Sequence, residues 1–123
     1  MFSLTEMIAT FAFFLAAFLL VKRAGLIAPR DAQAYLKSGA LVIDVRTPGE
    51  FNSGHLPSAI NLPLDEIEAG LPGHVADKTQ VILLHCQSGM RSGLAKRKLN
   101  RLGYSKAYNL GSYERAAQIV NGK

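Results

Sequence analysis

The strongest chemical signal in this sequence of 123 residues is its only cysteine, Cys86, set in the segment VILLHCQSGMRS at 81–92. An apolar strand there delivers the thiol into a short loop that runs directly into a helix. In such a loop successive backbone N–H groups converge on the sulfur or on a bound anion, as at phosphate-binding helix N-termini. Ser88 and Gly89 permit the tight curvature, and Arg91 adds a permanent positive charge. A free thiol with pKa near 8.5 is only about 3% thiolate at pH 7, whereas a fall of about two units makes it roughly three-quarters thiolate. A helix N-terminus and a nearby arginine are two causes of such a fall. Out of context, a lone cysteine ending an apolar strand is a small buried hydrophobe. Ser, Gly and Arg close behind it, followed by a helix, favour a nucleophile. With one cysteine, no internal disulfide or resolving thiol exists.

A second polar cluster lies upstream, in DVRTPGEFNSGHLPSAINLP at 44–63. Asp44 and Arg46 stand at the C-terminal end of a strand, the edge where open α/β sheets build their sites, so both are candidate pocket residues, with a structural role as the alternative. Arg46 with Glu50, and His55 before Pro57, read as ion-pair and hydrogen-bond organisers of the connecting loop. His85 alternates away from Cys86 along its strand and reads as a satisfied core residue rather than a base. His74 falls in a loop, and no His and Cys spacing suggests a metal.

The elements that must position these residues follow an α/β pattern: a central parallel sheet flanked by helices. Strand candidates are a minor Leu26 to Ala28, then Ala40 to Val45, Ala59 to Leu62, Val81 to Cys86 and Ala107 to Leu110, whose continuous apolarity suggests burial on both faces. A first helix starts at Pro29 with Ala32, Tyr35 and Leu36 inward and Gly39 closing it. A second follows Pro63, with Leu64, Ile67 and Leu71 as its apolar side, and ends at Gly70 and Pro72. A third runs from about Ser92 to Leu102, with Lys96, Arg97 and Arg101 outward, and Ser112 caps a fourth.

Residues 1–21 contain no Lys or Arg and one acid, Glu6, while Met7 to Val21 is apolar except for Thr10. A helix apolar on every face, with Phe11, Phe13, Phe14 and Phe18 pointing all round, lacks the polar stripe of a surface helix. Counted from Phe2 it approaches the roughly 30 Å of a bilayer core, so residues 1–24 are expected to form one transmembrane anchor, contacting lipid through residues 2–21, and residues 25–123 one domain. A cleaved secretory signal is the competitor, but the start lacks a positive charge and no small-x-small site follows closely. Lys22, Arg23, Arg30 and Lys37 behind the apolar run place the domain in the cytoplasm by the positive-inside bias, a compartment that keeps a lone thiol reduced. The anchor also offers a contact for a homodimer. From Cys86 onward eight Lys and Arg face one acid, Glu114, within a net charge of +5. Basic residues interleaved with exposed aromatics are absent, so an anionic small substrate or anionic membrane fits and nucleic acid does not.

The Cys86 loop is similar to the active-site loop of rhodaneses, in which a cysteine, four intervening residues and an arginine close a ring. The 44–63 segment resembles the family's other signature, an Asp-Val-Arg strand end, then Glu, then Gly-His-Ile-Pro-Gly-Ala. The resemblance covers about residues 26–120, and it departs at NLGSYERA (109–116), where the family often carries a glycine pair and a tryptophan. No Trp exists in the chain, and Tyr113 is expected to pack in its stead.

The resemblance implies a rhodanese-like fold and a thiosulfate sulfurtransferase activity without cofactor or metal. Cys86 would take sulfur from thiosulfate or a related anionic donor as a persulfide and pass it to a thiol or cyanide. The amides of Gln87, Ser88, Gly89, Met90, Arg91 and Ser92 would bind the substrate, Arg91 would orient the loop and attract the anionic donor, and Lys96 and Arg97 would raise its local concentration. Two alternatives stand. Cysteine-based phosphatases and arsenate reductases use a loop longer by one residue, with arginine where this chain has Ser92. Non-catalytic rhodanese-like modules scaffold partners, but commonly lose the cysteine.

Overall fold

The computed structural model describes residues 1–122, and the side chains of these apart from residues 20–24. In chain order it comprises α1 (Leu4–Ala24), α2 (Pro29–Lys37), β1 (Leu41–Asp44), α3 (Pro48–Asn52), β2 (Ile60–Asn61), a 3-10 turn (Leu64–Glu66), α4 (Ile67–His74), β3 (Ile82–His85), α5 (Met90–Arg101), β4 (Ala107–Gly111) and α6 (Tyr113–Val120). The four strands form one parallel sheet in the order β2-β1-β3-β4. Alternation along the central strands divides the core in two. Val42, Leu83 and Leu110 pack with Ala32 of α2 and with Ala116 and Ile119 of α6. Ile43, Leu84 and Cys86 pack on the other face with Ile67 and Leu71 of α4 and with Ala95 and Leu99 of α5. Both faces are therefore covered, as the unbroken apolarity of the strands requires.

Three expectations are corrected. Leu26 to Ala28 is not a strand. A single hydrogen bond, from the Ile27 amide to the Asn109 carbonyl at 3.0 Å, ties it to β4, and Pro29 then has no N–H with which to extend the pairing. The second helix does not end at Gly70 and Pro72 but continues to His74, which closes the helix rather than sitting in a loop. Pro72 falls late in this short helix, so it removes only one backbone donor while Ile67 and Leu71 remain fully buried. The sequence reading also passed over α3, although Thr47, Pro48 and Glu50 spell its start. The Thr47 hydroxyl accepts from the Glu50 amide at 3.2 Å and the Glu50 carboxylate accepts from the Thr47 amide at 3.1 Å, a reciprocal cap.

Among the described residues no helix is long and apolar enough to cross a membrane, so the structure does not carry the transmembrane reading of residues 1–24. It does leave Phe2, Phe11, Phe13, Phe14 and Phe18 between 63% and 80% exposed. The basic flank at Lys22 and Arg23 lies outside the described side chains.

Candidate active site

Cys86 follows β3 at the C-terminal edge of the sheet, where its own amide donates to the Gly111 carbonyl at 3.2 Å. The side chain is fully buried, and Sγ accepts from the Gly89 amide at 3.0 Å and from the Ser92 hydroxyl at 3.5 Å. Burial pushes the thiol up. The Ser92 hydroxyl and amide, with the Gly89 and Ser88 amides, together outweigh burial and hold it below the ordinary thiol range. The first turn of α5 thus points its amides at the sulfur, an arrangement that favours a thiolate or a negatively charged atom attached to it.

The loop's curvature rests on Gly89, whose φ of +96° suits glycine. A Cβ there would stand 3.2 Å from the Gly111 Cα, so the backbones of loop and β4 touch at this point. A single antiparallel bridge between Ser88 and Ser112, and a hydrogen bond from the Tyr113 amide to the Gln87 carbonyl at 3.3 Å, stitch the loop to the start of α6. Asn109 of β4 braces it from below. Its Nδ2 donates to the Gly89 carbonyl at 3.1 Å, and its Oδ1 accepts from the Gly111 amide at 2.8 Å and from the Ser92 hydroxyl at 2.7 Å. That hydroxyl has one proton and three acceptors within reach: Asn109 Oδ1, the Gly89 carbonyl at 3.1 Å and the sulfur. Sequence reasoning missed Asn109. Nothing local marks it, because its role arises only when β4 pairs with β3.

The two arginines each meet a carboxylate. Arg91 directs its guanidinium at Glu50. Nη1 and Nη2 donate to the two carboxylate oxygens of Glu50 at 2.6 and 2.9 Å. This fork, with the Thr47 hydrogen bonds, holds Glu50 down to about 2. Arg91 is therefore paired with Glu50, and the fork fixes the loop to α3. Arg46 accordingly pairs not with Glu50 but with Asp44. Its Nε and Nη2 donate to the Asp44 carboxylate at 3.0 and 2.7 Å, and Nη2 also donates to the Gly54 carbonyl at 2.7 Å. Residues two apart at a strand end share a face, which brings these two side chains together. Nη1 of Arg46 reaches the Gln87 side-chain carbonyl at 3.4 Å, and the guanidinium lies 4.6 Å over the Tyr113 ring. Asp44 and Arg46 thus sit beneath the loop, both buried, and meet it through Gln87 rather than through the sulfur.

His85 is a core residue, as expected, but only half satisfied. Nδ1 lies 3.3 Å from the Cys86 carbonyl, while the buried Nε2 makes no hydrogen bond and stands 3.7 Å from Asp44. Burial lowers its pKa and keeps the ring neutral. Its edge meets the Tyr113 ring at 5.7 Å. Of the remaining loop residues, Met90 projects into solvent, 74% exposed, and Ser92 is fully buried. Lys96 is half-buried and Arg97 exposed on the outer side of α5.

A family model of the rhodanese-like domain matches residues 28–117. The chain is 38% identical over 69 residues to thiosulfate sulfurtransferase PspE of Escherichia coli (strain K12), a match covering 56% of this chain and 66%, just under two thirds, of that protein. It is 34% identical over 89 residues to thiosulfate sulfurtransferase GlpE of Pseudomonas syringae pv. syringae (strain B728a), covering 72% and 82% of the two chains. Among solved structures, the human single domain sulfurtransferase TSTD1 superposes with a TM-score of 0.64 at 26% identity, over 76% of this chain and 96% of that one. A rhodanese with anions from E. coli gives 0.61 at 34% identity, over 63% and 91%.

Proposed function

This chain belongs to the rhodanese family, and on that premise we propose that it is a sulfurtransferase carrying sulfane sulfur as a persulfide on Cys86. The observation that supports this most directly is the cradle of Ser88, Gly89 and Ser92 donors around a thiol held below its usual pKa. The thiolate attacks the outer sulfur of thiosulfate, the sulfur–sulfur bond of the donor breaks, and sulfite leaves with the electron pair. The resulting Cys86–S–S⁻ carries its charge on the outer sulfur, and peptide N–H groups stabilise it without moving. A thiolate or cyanide then attacks that sulfur, and the Cys86 thiolate leaves, closing a double displacement. PspE and GlpE, both named thiosulfate sulfurtransferases, favour thiosulfate as donor.

Incubation with thiosulfate should leave the Cys86 peptide one sulfur atom heavier by mass spectrometry, and cyanide should remove that atom. Cys86→Ser should lose all transfer while unfolding at the same denaturant concentration. Transfer retained by that variant would overturn the assignment. Hydrolysis of an aryl phosphate ester as fast as thiosulfate turnover would instead favour the phosphatase alternative.

We also infer that α1 attaches the protein to a membrane. The large apolar side chains it leaves in water represent unburied apolar surface at roughly 25 cal/mol per Å², and lipid would cover them. The basic residues after it favour the cytoplasmic side for the domain.

A further inference from the structure

Apart from the first 19 residues, only two large apolar side chains among the described residues are exposed, Met90 at 74% and Leu94 at 46%. Both are on α5, and Met90 belongs to the Cys86 loop itself. Exposed Arg97 and Arg101 continue the same line, since residues 90, 94, 97 and 101 recur at helical spacing on one face. Neither arginine makes an ion pair among the described residues, whereas Lys98 on the flank of this stripe pairs with Glu68 at 3.3 Å. No acid occurs anywhere in α5. An apolar end followed by a basic end on one helix face has the chemistry of a surface that lies on anionic lipid.

The course of the chain supplies a second, independent observation. Helix α1 ends at Ala24, and Leu26 already lines a cleft of about 280 Å³ with Ser88, Gly89, Met90, Ser112 and Arg115. Two extended residues reach only about 7 Å, so whatever holds the end of α1 also holds the Met90 side of the domain close by. We propose that the face carrying the cysteine loop rests on an anionic membrane surface through Met90, Leu94, Arg97 and Arg101, so that Cys86 exchanges sulfur at the interface. This rests on the reading that α1 is held in lipid.

The test uses the full chain with Cys86→Ser, reconstituted into vesicles of phosphatidylglycerol and phosphatidylcholine. An environment-sensitive fluorophore is attached at Leu94→Cys or, in a separate protein, at Ser105→Cys. Ser105 is exposed and precedes β4 at the opposite edge of the parallel sheet. The expected result is a blue shift and loss of iodide quenching at position 94 but not at 105. Both effects should disappear in pure phosphatidylcholine and in Arg97→Glu/Arg101→Glu, while the vesicles still float the protein. If the chain floats but position 94 is quenched like 105, the docking is wrong and attachment by α1 stands. A chain that does not float removes both. Shielding that persists after charge reversal and grows with protein concentration would assign the face to a second copy and overturn the lipid proposal.

Discussion

Arg46 and Arg91 each meet a carboxylate oxygen at nearly the same distance, 2.7 Å to Asp44 and 2.6 Å to Glu50, yet the two pairs stand in opposite surroundings. The first is sealed beneath the sheet edge, with side chains 6% and 0% exposed, and the second is about a third exposed, at 34% and 33%. A buried pair contributes little net stability when intact but is costly to break, because one unpaired charge remains in the interior. A half-exposed pair is screened and chiefly restricts geometry. The Asp-Val-Arg segment therefore supports the floor of the site, while the Glu50–Arg91 fork tethers its rim. Neither guanidinium hydrogen-bonds the sulfur, and the hydrogen bonds that stabilise a negative sulfur come from peptide groups and one hydroxyl.

Mutation of each region should separate these roles. Asp44→Ala leaves Arg46 buried with only neutral acceptors, Gly54 and Gln87, and should cost about 3 kcal/mol in urea unfolding. A cost near zero would mean that Arg46 escapes to solvent and that the buried and rim pairs are equivalent. Ser92→Ala removes a hydrogen bond to the thiolate, about 1.5 kcal/mol for a charged acceptor. It should move the midpoint of Cys86 alkylation to higher pH and slow alkylation at neutral pH roughly tenfold. An unchanged midpoint would show that the Ser92 proton stays with Asn109 or Gly89.

The smallest effect is expected at the rim. Because Glu50 is held down to about 2, the fork stabilises the fold above the ordinary carboxylate pKa of about 4, and this contribution is lost as pH falls from about 4 toward 2. With both partners a third exposed, it amounts to about 1 kcal/mol. Glu50→Gln should lower neutral-pH stability by that amount and flatten the acid limb of the stability profile. A loss as large as that of Asp44→Ala would erase the distinction between the two pairs.

The sequence made legible whatever is encoded within a few residues: the Cys86 loop, the strand that delivers it, the Ser112 cap and the apolar faces of α2 and α5. It was less informative where partners come from distant segments. Arg91 and Glu50 are 41 residues apart, and Asn109 stands 17 beyond Ser92, so no local pattern announces either contact. The Asp44–Arg46 pair was readable in principle from the two-residue repeat of a strand, but charge sign alone suggested Glu50 instead. Pro72 misled because the rule that proline stops helices weakens near a helix end where the apolar face is fully buried.

The contact of Gly89 with Gly111 has a consequence for synthesis. The oxyanion-like nest around the sulfur takes its shape from a strand that the ribosome delivers 25 residues after Cys86. Until β4 arrives, Gly89 and Ser92 lack the Asn109 contacts that brace them and the Gly111 backbone against which the loop closes.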